Sequence, residues 1–149
     1  MRRKTPLKNW DRHKTAPNDT LYSKIIRFGQ TKCLMCGKER KLECAHIIGR
    51  RHHATRFMLT PVRAAIYLCA FCHRKKFDRL KMVRLLWDPR ARVFSGEDES
   101  YTFLVEKCFY TWADLELLYI KHRNVSHYGA LEKAAIRQEL EGVLARLLS

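Results

Sequence analysis

The sequence predicts an α+β fold, in which a strand, a loop, a strand and a helix form a small core with further helices before and after it. Three observations carry this. Two Cys-x-x-Cys pairs, Cys33–Cys36 and Cys69–Cys72, bracket the expected strands. Short apolar runs adjoin the pairs at residues 41–48 and 66–68, and the stretch between them is polar. Beyond residue 110 the apolar positions instead recur at helical spacing.

The cysteine pairs come first because they hold the rest. A gap of two residues lets both sulfurs of a pair reach one ion from a tight turn, and zinc takes four such soft ligands in a tetrahedron. Gly37, directly after the first pair, suits that turn. The 32 residues from Gly37 to Leu68 exceed the roughly 15–20 of a plain zinc ribbon, so the insert must hold structure of its own. The rival arrangement is two disulfides. No apolar leader follows Met1-Arg2-Arg3-Lys4, which points to a cytoplasmic setting where thiols stay reduced, and so to zinc. Cys44 and Cys108 remain, and read as small buried residues.

The elements follow in order. Residues 1–18 hold Pro6 and Pro17 among many charges and read as a flexible basic arm. Asp19 or Thr20 caps a short helix to about Phe28, with Leu21, Ile25 and Phe28 on one face and Gly29 as its stop. Residues 41–48 suit a half-buried strand. Residues 49–60, with Arg50, Arg51, His52, His53 and Arg56, read as a loop, and residues 66–68 as a second strand. A helix starts near Ala70 and runs past Asp78, with His73 in its first turn; Pro89 ends any continuation. Val93-Phe94 reads as a strand stub, and residues 101–112 fit either strand or helix. Residues 114–122 read as a helix. A last helix starts near Gly129 with Leu131, Ala135, Leu140, Val143, Leu144 and Leu147 on one face. The expected organisation is an arm at 1–18, a zinc-bound core at 19–90 and a mostly helical extension at 91–149.

Charge narrows the partner. The chain carries a formal net charge of +15. Residues 31–90 hold 15 Lys and Arg against 4 Asp and Glu, whereas residues 91–149 hold 7 against 9. Positive charge gathered on the cysteine segment is the footprint of a polyanion, most often nucleic acid. No run of 18 apolar residues and no basic amphipathic helix with exposed aromatics points to a membrane.

The arrangement Cys33-x-x-Cys36, then Ala45-His46-Ile47, then Leu68-Cys69-x-x-Cys72-His73 resembles the HNH endonuclease family. It is most similar to the zinc-containing phage branch, with its endonuclease VII-like and lambdoid-phage recombination nucleases. The resemblance covers residues 33–78, about a third of the chain. It implies a ββα-metal core stapled by structural zinc on Cys33, Cys36, Cys69 and Cys72. It further implies a phage- or prophage-encoded enzyme that hydrolyses DNA phosphodiester bonds to a 3′-hydroxyl and a 5′-phosphate. Matched to the family, His46 ends the first strand as general base and His73 holds a catalytic divalent cation, Mg²⁺ or Mn²⁺. The chain departs from the family twice: Ala45 stands where an Asp or His usually binds the metal, and Ala64 stands where an Asn usually braces the loop.

General chemistry agrees with those roles. Imidazole is a base near neutrality, and a cation neutralises the charge on the leaving oxygen. Arg50 or Arg51 is placed to clamp the phosphate, and Arg56, Arg74, Lys75 and Lys76 to meet the DNA backbone. His52 or His53 is expected to complete the cation site with His73, with Asp78 as a further candidate. Blander readings stand beside these: His73 as a spare zinc ligand, His46 as a packed strand histidine, His52 and His53 as solvated loop residues. Cutting both strands needs two active sites, so the C-terminal helices are the expected face for a second copy or a phage protein. The alternative function is a non-catalytic, zinc-stabilised DNA-binding or accessory module for phage recombination or packaging. An RNA-binding zinc ribbon ranks last, since few aromatics sit beside the basic run to stack bases. The expected location is the host cytoplasm, at the nucleoid through bound DNA.

Overall fold

Two antiparallel strands form the centre of the computed structural model, which describes residues 10–48, 53–78, 86–88, 93–95, 99–123 and 129–149. Strand β1 (Leu42–His46) pairs with β2 (Ala65–Cys69), with Leu42 opposite Cys69 and His46 opposite Ala65. The expected strands at 41–48 and 66–68 are thus present with their ends shifted by a residue or two. Both are short and largely buried, because helices cover them. The bond from Ile47 N–H to Ala64 O, 2.9 Å, continues the pairing one step past His46.

Helix α1 (Trp10–Arg27) precedes the strands. It begins well before the expected cap at Asp19, so residues 10–18 are helical rather than an open arm, and Pro17 sits inside the helix. Pro17 lacks a backbone donor and locally opposes a helix. Packing overrides it. Tyr22, Ile25 and Ile26 are buried on one face, and the buried Asn18 side chain donates to Lys133 O at 3.0 Å. Phe28, expected on that face, is instead exposed, and Ile26 takes its place. Gly29, at φ +71°, turns the chain out of the helix as expected.

Between the strands, α2 (His53–Arg56) is a single turn. After β2 the chain enters α3, whose residues Cys72–Phe77 are wound as a π-helix. No helix continues to Trp87. Leu86–Asp88 (β3) instead pairs antiparallel with Val93–Ser95 (β4), which gives the expected Val93-Phe94 stub its partner.

The C-terminal part is helical. The ambiguous stretch at 101–112 resolves into α4 (Glu99–Lys107) and a turn in which Leu104 O accepts from the N–H groups of Cys108 and Tyr110. Helix α5 (Trp112–Arg123) starts where Thr111 and Asp114 exchange side chain-to-backbone bonds of 2.9 and 3.1 Å, a reciprocal cap. Helix α6 (Ala130–Leu148) starts at Gly129, whose N–H donates to Glu132 Oε2 at 2.7 Å. No helix among the described residues is long and apolar enough to cross a membrane.

Two apolar clusters result. One surrounds the cysteines, where Leu42, Ala45, Leu68 and Phe77 meet Leu104 of α4 and Leu115 and Leu118 of α5. The other joins α1 to α6 through Tyr22, Ile25, Ile26 and Leu140, with Ile136, Val143, Leu144 and Leu147 packed around them. The stripe expected on the last helix is therefore real in its C-terminal half. Leu131 is 88% exposed and Ala135 is exposed, while Ile136 supplies the contact instead. Leu140→Ala should accordingly destabilise the zinc-loaded protein by about 2–5 kcal/mol in equilibrium denaturation. Leu131→Ala should change it by less than about 0.5 kcal/mol.

Candidate metal centre and active-site cleft

The four cysteines of the two pairs converge. Their sulfurs all lie within 4.8 Å of one another, and Cys36 Sγ is 4.0 Å from Cys69 Sγ. A zinc–sulfur bond of about 2.3 Å in a tetrahedron places sulfurs about 3.8 Å apart, whereas a disulfide needs about 2.05 Å. All six cysteines are free thiols. The donor set therefore fits a structural metal such as zinc, and it is the only group of three or more Cys, His, Asp or Glu so closely placed among the described residues.

Local sequence explains the convergence. The bonds Gly37 N–H to Cys33 O, 2.9 Å, and Cys33 N–H to Lys38 O, 3.0 Å, fold the first pair into a tight turn. Gly37 at φ +69° closes that turn, a conformation costly for other residues. The second pair spans the end of β2 and the start of α3. Burial raises the Cys33 thiol, but backbone N–H groups of Cys36, Cys69 and Met35 outweigh it and bring the group to about 7. Burial and hydrogen bonds shared with Cys69, Cys33 and Cys36 push Cys72 up to about 12. Were all four ionised, thiolates at such spacing would need a cation among them. Cys44 and Cys108 lie outside this group; expected as buried residues, both are only half-buried, packed against the apolar clusters. Burial pushes the Cys108 thiol up to about 12.

Beside the cluster, β1, α1 and α3 enclose an open cleft of about 600 Å³. His46 and His73 both line it, together with Asp19, Glu43, Arg74 and Asp78. His46, the last residue of β1, is 8% exposed. Its Nε2 lies 3.0 Å from Arg56 O. A carbonyl only accepts, so Nε2 carries the proton and Nδ1 the lone pair of the neutral ring. The Tyr22 ring stacks on the imidazole at 5.5 Å, and Tyr22 Oη donates to Met58 O at 2.7 Å. Burial pushes the Tyr22 hydroxyl far above its ordinary range, so it stays a donor.

His73 faces carboxylates. Its Nδ1 is 2.8 Å from Glu43 Oε2 and its Nε2 is 3.6 Å from Asp78 Oδ2. Glu43 Oε1 also accepts from Arg74 at 2.7 Å. Burial raises the Glu43 carboxyl, but the bonds from His73 and Arg74 outweigh it and hold the group below its ordinary 4.5.

The basic residues divide. Lys75 and Lys76 are exposed on α3, and Arg74 is 69% exposed despite its pairing. Arg56, expected at the DNA backbone, instead clasps Asp19 of α1 through two bonds of 3.0 and 2.6 Å, with its side chain 13% exposed. It braces the segment whose carbonyl holds His46. Arg50, Arg51 and His52 lie outside the described residues. His53 opens α2, where the backbone alone is described. Ala64 is buried, and its backbone brackets the loop by bonds to Ile47 and Met58. Sequence reasoning did not single out Tyr22 or Glu43. Glu43 was within reach, since it sits two residues before Ala45 on the same face of a strand.

In comparisons with known proteins, no family model, no curated protein and no solved structure matches the chain.

Metal analysis should find one zinc per chain, and Cys69→Ser should lower that occupancy and the thermal midpoint together. Glu43 gives a pH signature. Its folded-state pKa is depressed, so its contribution to stability is complete above about pH 5 and is lost as pH falls through the lowered value. The stability gap between wild type and Glu43→Gln should therefore close on acidification in parallel denaturation curves; a gap independent of pH would contradict the pairing.

Proposed function

We propose that the protein is a zinc-stabilised, metal-dependent DNA endonuclease or nickase of the HNH type, with His46 as general base. The observation that carries this reading is that His46 and His73, from separate elements, line one cleft beside the four-cysteine cluster. A hydrolytic site needs a base held in one tautomer, and the Arg56 carbonyl does this for His46. The Tyr22 ring behind the imidazole fixes its plane. In the reaction, Nδ1 of His46 takes a proton from the water that attacks phosphorus, and the 3′ oxygen departs in line. His73 would hold a divalent cation, whose chemistry there would be positive charge where that oxygen becomes negative. Lys41 and Arg74 on the cleft wall favour an anionic backbone there, and Lys75 and Lys76 extend the positive surface along α3.

One observation favours a second reading, a non-catalytic DNA-binding or accessory module on the same scaffold. Ala45, at the position where the family carries a metal-binding Asp or His, is wholly buried and offers no ligand. The two readings separate on one assay. Incubated with plain, nicked and four-way DNA and Mg²⁺ or Mn²⁺, the wild-type protein should cut, and EDTA should stop it. His46→Ala should reduce cutting at least ~100-fold, the usual contribution of a general base, with zinc content unchanged. Steeply salt-dependent binding without cutting under any cation would establish the second reading.

A further inference from the structure

A row of cations leads away from the cleft and ends at an exposed aromatic ring. Arg27, Lys41 and Leu42 line the cleft and also a second hollow of about 390 Å³, where Arg40 joins them. Arg40 in turn lines a third hollow of about 270 Å³, with Lys38, Phe71 and Lys76. Shared walls make the three hollows neighbours along one surface. Glu39 is the only carboxylate lining the second hollow, and none lines the third. Among the described residues, Lys38, Arg40, Lys41 and Lys76 form no ion pair.

Local structure sets the far end of this row. Lys32 and Glu39 form a β-bridge, and bonds from Cys33 N–H to Lys38 O, 3.0 Å, and from Arg40 N–H to Thr31 O, 3.3 Å, close the turn around it. Lys38 and Arg40, two residues apart on this extended limb, therefore share a face. Phe71 stands just before the π-helical part of α3 and is 56% exposed. Lys76 Nζ lies 5.7 Å from the centroid of its ring, within cation–π reach. The five-residue step of the π-helix makes this pairing; at α-helical pitch residue 76 would lie about 140° round the axis from residue 71. Cys36, Cys69 and Cys72 also line the third hollow, so its cations stand beside the cysteine cluster. Offsetting thiolate charge accounts for cations there, but neither for an exposed ring nor for a row that continues to the cleft.

We propose that this row is a binding track for a single strand of DNA, with Phe71 as the platform on which one unpaired base stacks. Cations alone hold the phosphates of a duplex and of a single strand alike. The ring makes the choice. Bases inside a duplex already stack on one another, whereas an unpaired base presents a free π-face. A cationic groove with an aromatic stacking surface is the means by which single strands are held without sequence preference. Lys38, Arg40 and Lys41 meet the phosphates, and Lys76 beside the ring meets the phosphate of the stacked nucleotide. Delivery of the strand to His46 rests on the nuclease reading above; its binding on this track does not.

The test is fluorescence anisotropy with the full-length, zinc-loaded protein and no added Mg²⁺ or Mn²⁺. The probes are a labelled oligothymidine and an abasic strand of the same length and charge. Wild type should bind the oligothymidine roughly 5- to 150-fold more tightly, the range for one stacked base. Phe71→Leu should remove that preference by weakening oligothymidine binding alone, and Phe71→Trp should keep it. The double variant Lys38→Ala/Arg40→Ala should weaken both probes. It should also flatten the slope of log affinity against log salt by about 1.4, at about 0.7 per lost phosphate contact. Every variant should retain the zinc content of wild type. Equal binding of the two probes by wild type, or an undiminished preference in Phe71→Leu, overturns the base platform. An unchanged salt slope in the double variant overturns the track, and so does loss of its zinc, which would assign those cations to the cysteine cluster. Oligothymidine bound as described, with DNA left uncut under Mg²⁺ or Mn²⁺, sinks the nuclease reading and keeps the track. DNA cut by a wild type that does not tell the two probes apart does the reverse.

Discussion

Four sulfurs within 4.8 Å of one another are the constraint on which the rest depends. They come from a turn before β1 and from the junction of β2 with α3, so a single ion held there would tie the start of the core to its end. The magnitude decides its importance. Zinc bound by such a set contributes about 10–16 kcal/mol in small domains, against a net stability of about 5–15 kcal/mol for a typical protein. The strand pair is only five residues long on each side. A two-stranded ribbon of that length is marginal alone. Helices α4 and α5 then cover the cluster, and α1 with α6 covers the other side of the sheet.

The cleft inherits its geometry from this staple. His46 is fixed because it ends a strand whose partner begins at Ala65, and because Tyr22 and the Arg56 carbonyl hold its ring. The Asp19–Arg56 clasp links α1 to the segment that supplies that carbonyl, so a helix remote in sequence sets the tautomer of the proposed base. His73 follows Cys72 directly, and the sulfur that anchors Cys72 also anchors the turn that aims His73. The same chain of contacts explains why basic residues near the cleft differ in role: Arg56 is internal bracing, while Lys75 and Lys76 face solvent.

Much of this was legible in the sequence where a local rule had no strong competitor. The Cys-x-x-Cys spacings located the cluster, Gly29 and Gly37 located turns, and the order strand, strand, helix held at residues 42–77. Legibility failed where distant packing overrode local signals. Pro17 argued against a helix that Asn18, Tyr22 and Ile25 stabilise through α6. Leu131 fitted an apolar stripe but is exposed, while Ile136 packs against α1 in its stead. The π-helix at Cys72–Phe77 has no simple sequence signature, so the stacking of Asp78 on His73 could not be read from spacing. Arg56 looked like a phosphate ligand because nothing in the sequence shows that Asp19, 37 residues earlier, lies within 2.6 Å.

The most direct measurement is X-ray absorption at the zinc edge of the purified protein. Four sulfur scatterers at about 2.3 Å and no nitrogen are expected, which leaves His73 to the cleft. Three sulfurs with one imidazole nitrogen would draw His73 into the zinc shell and contradict the convergence of His46 and His73 on a shared cleft.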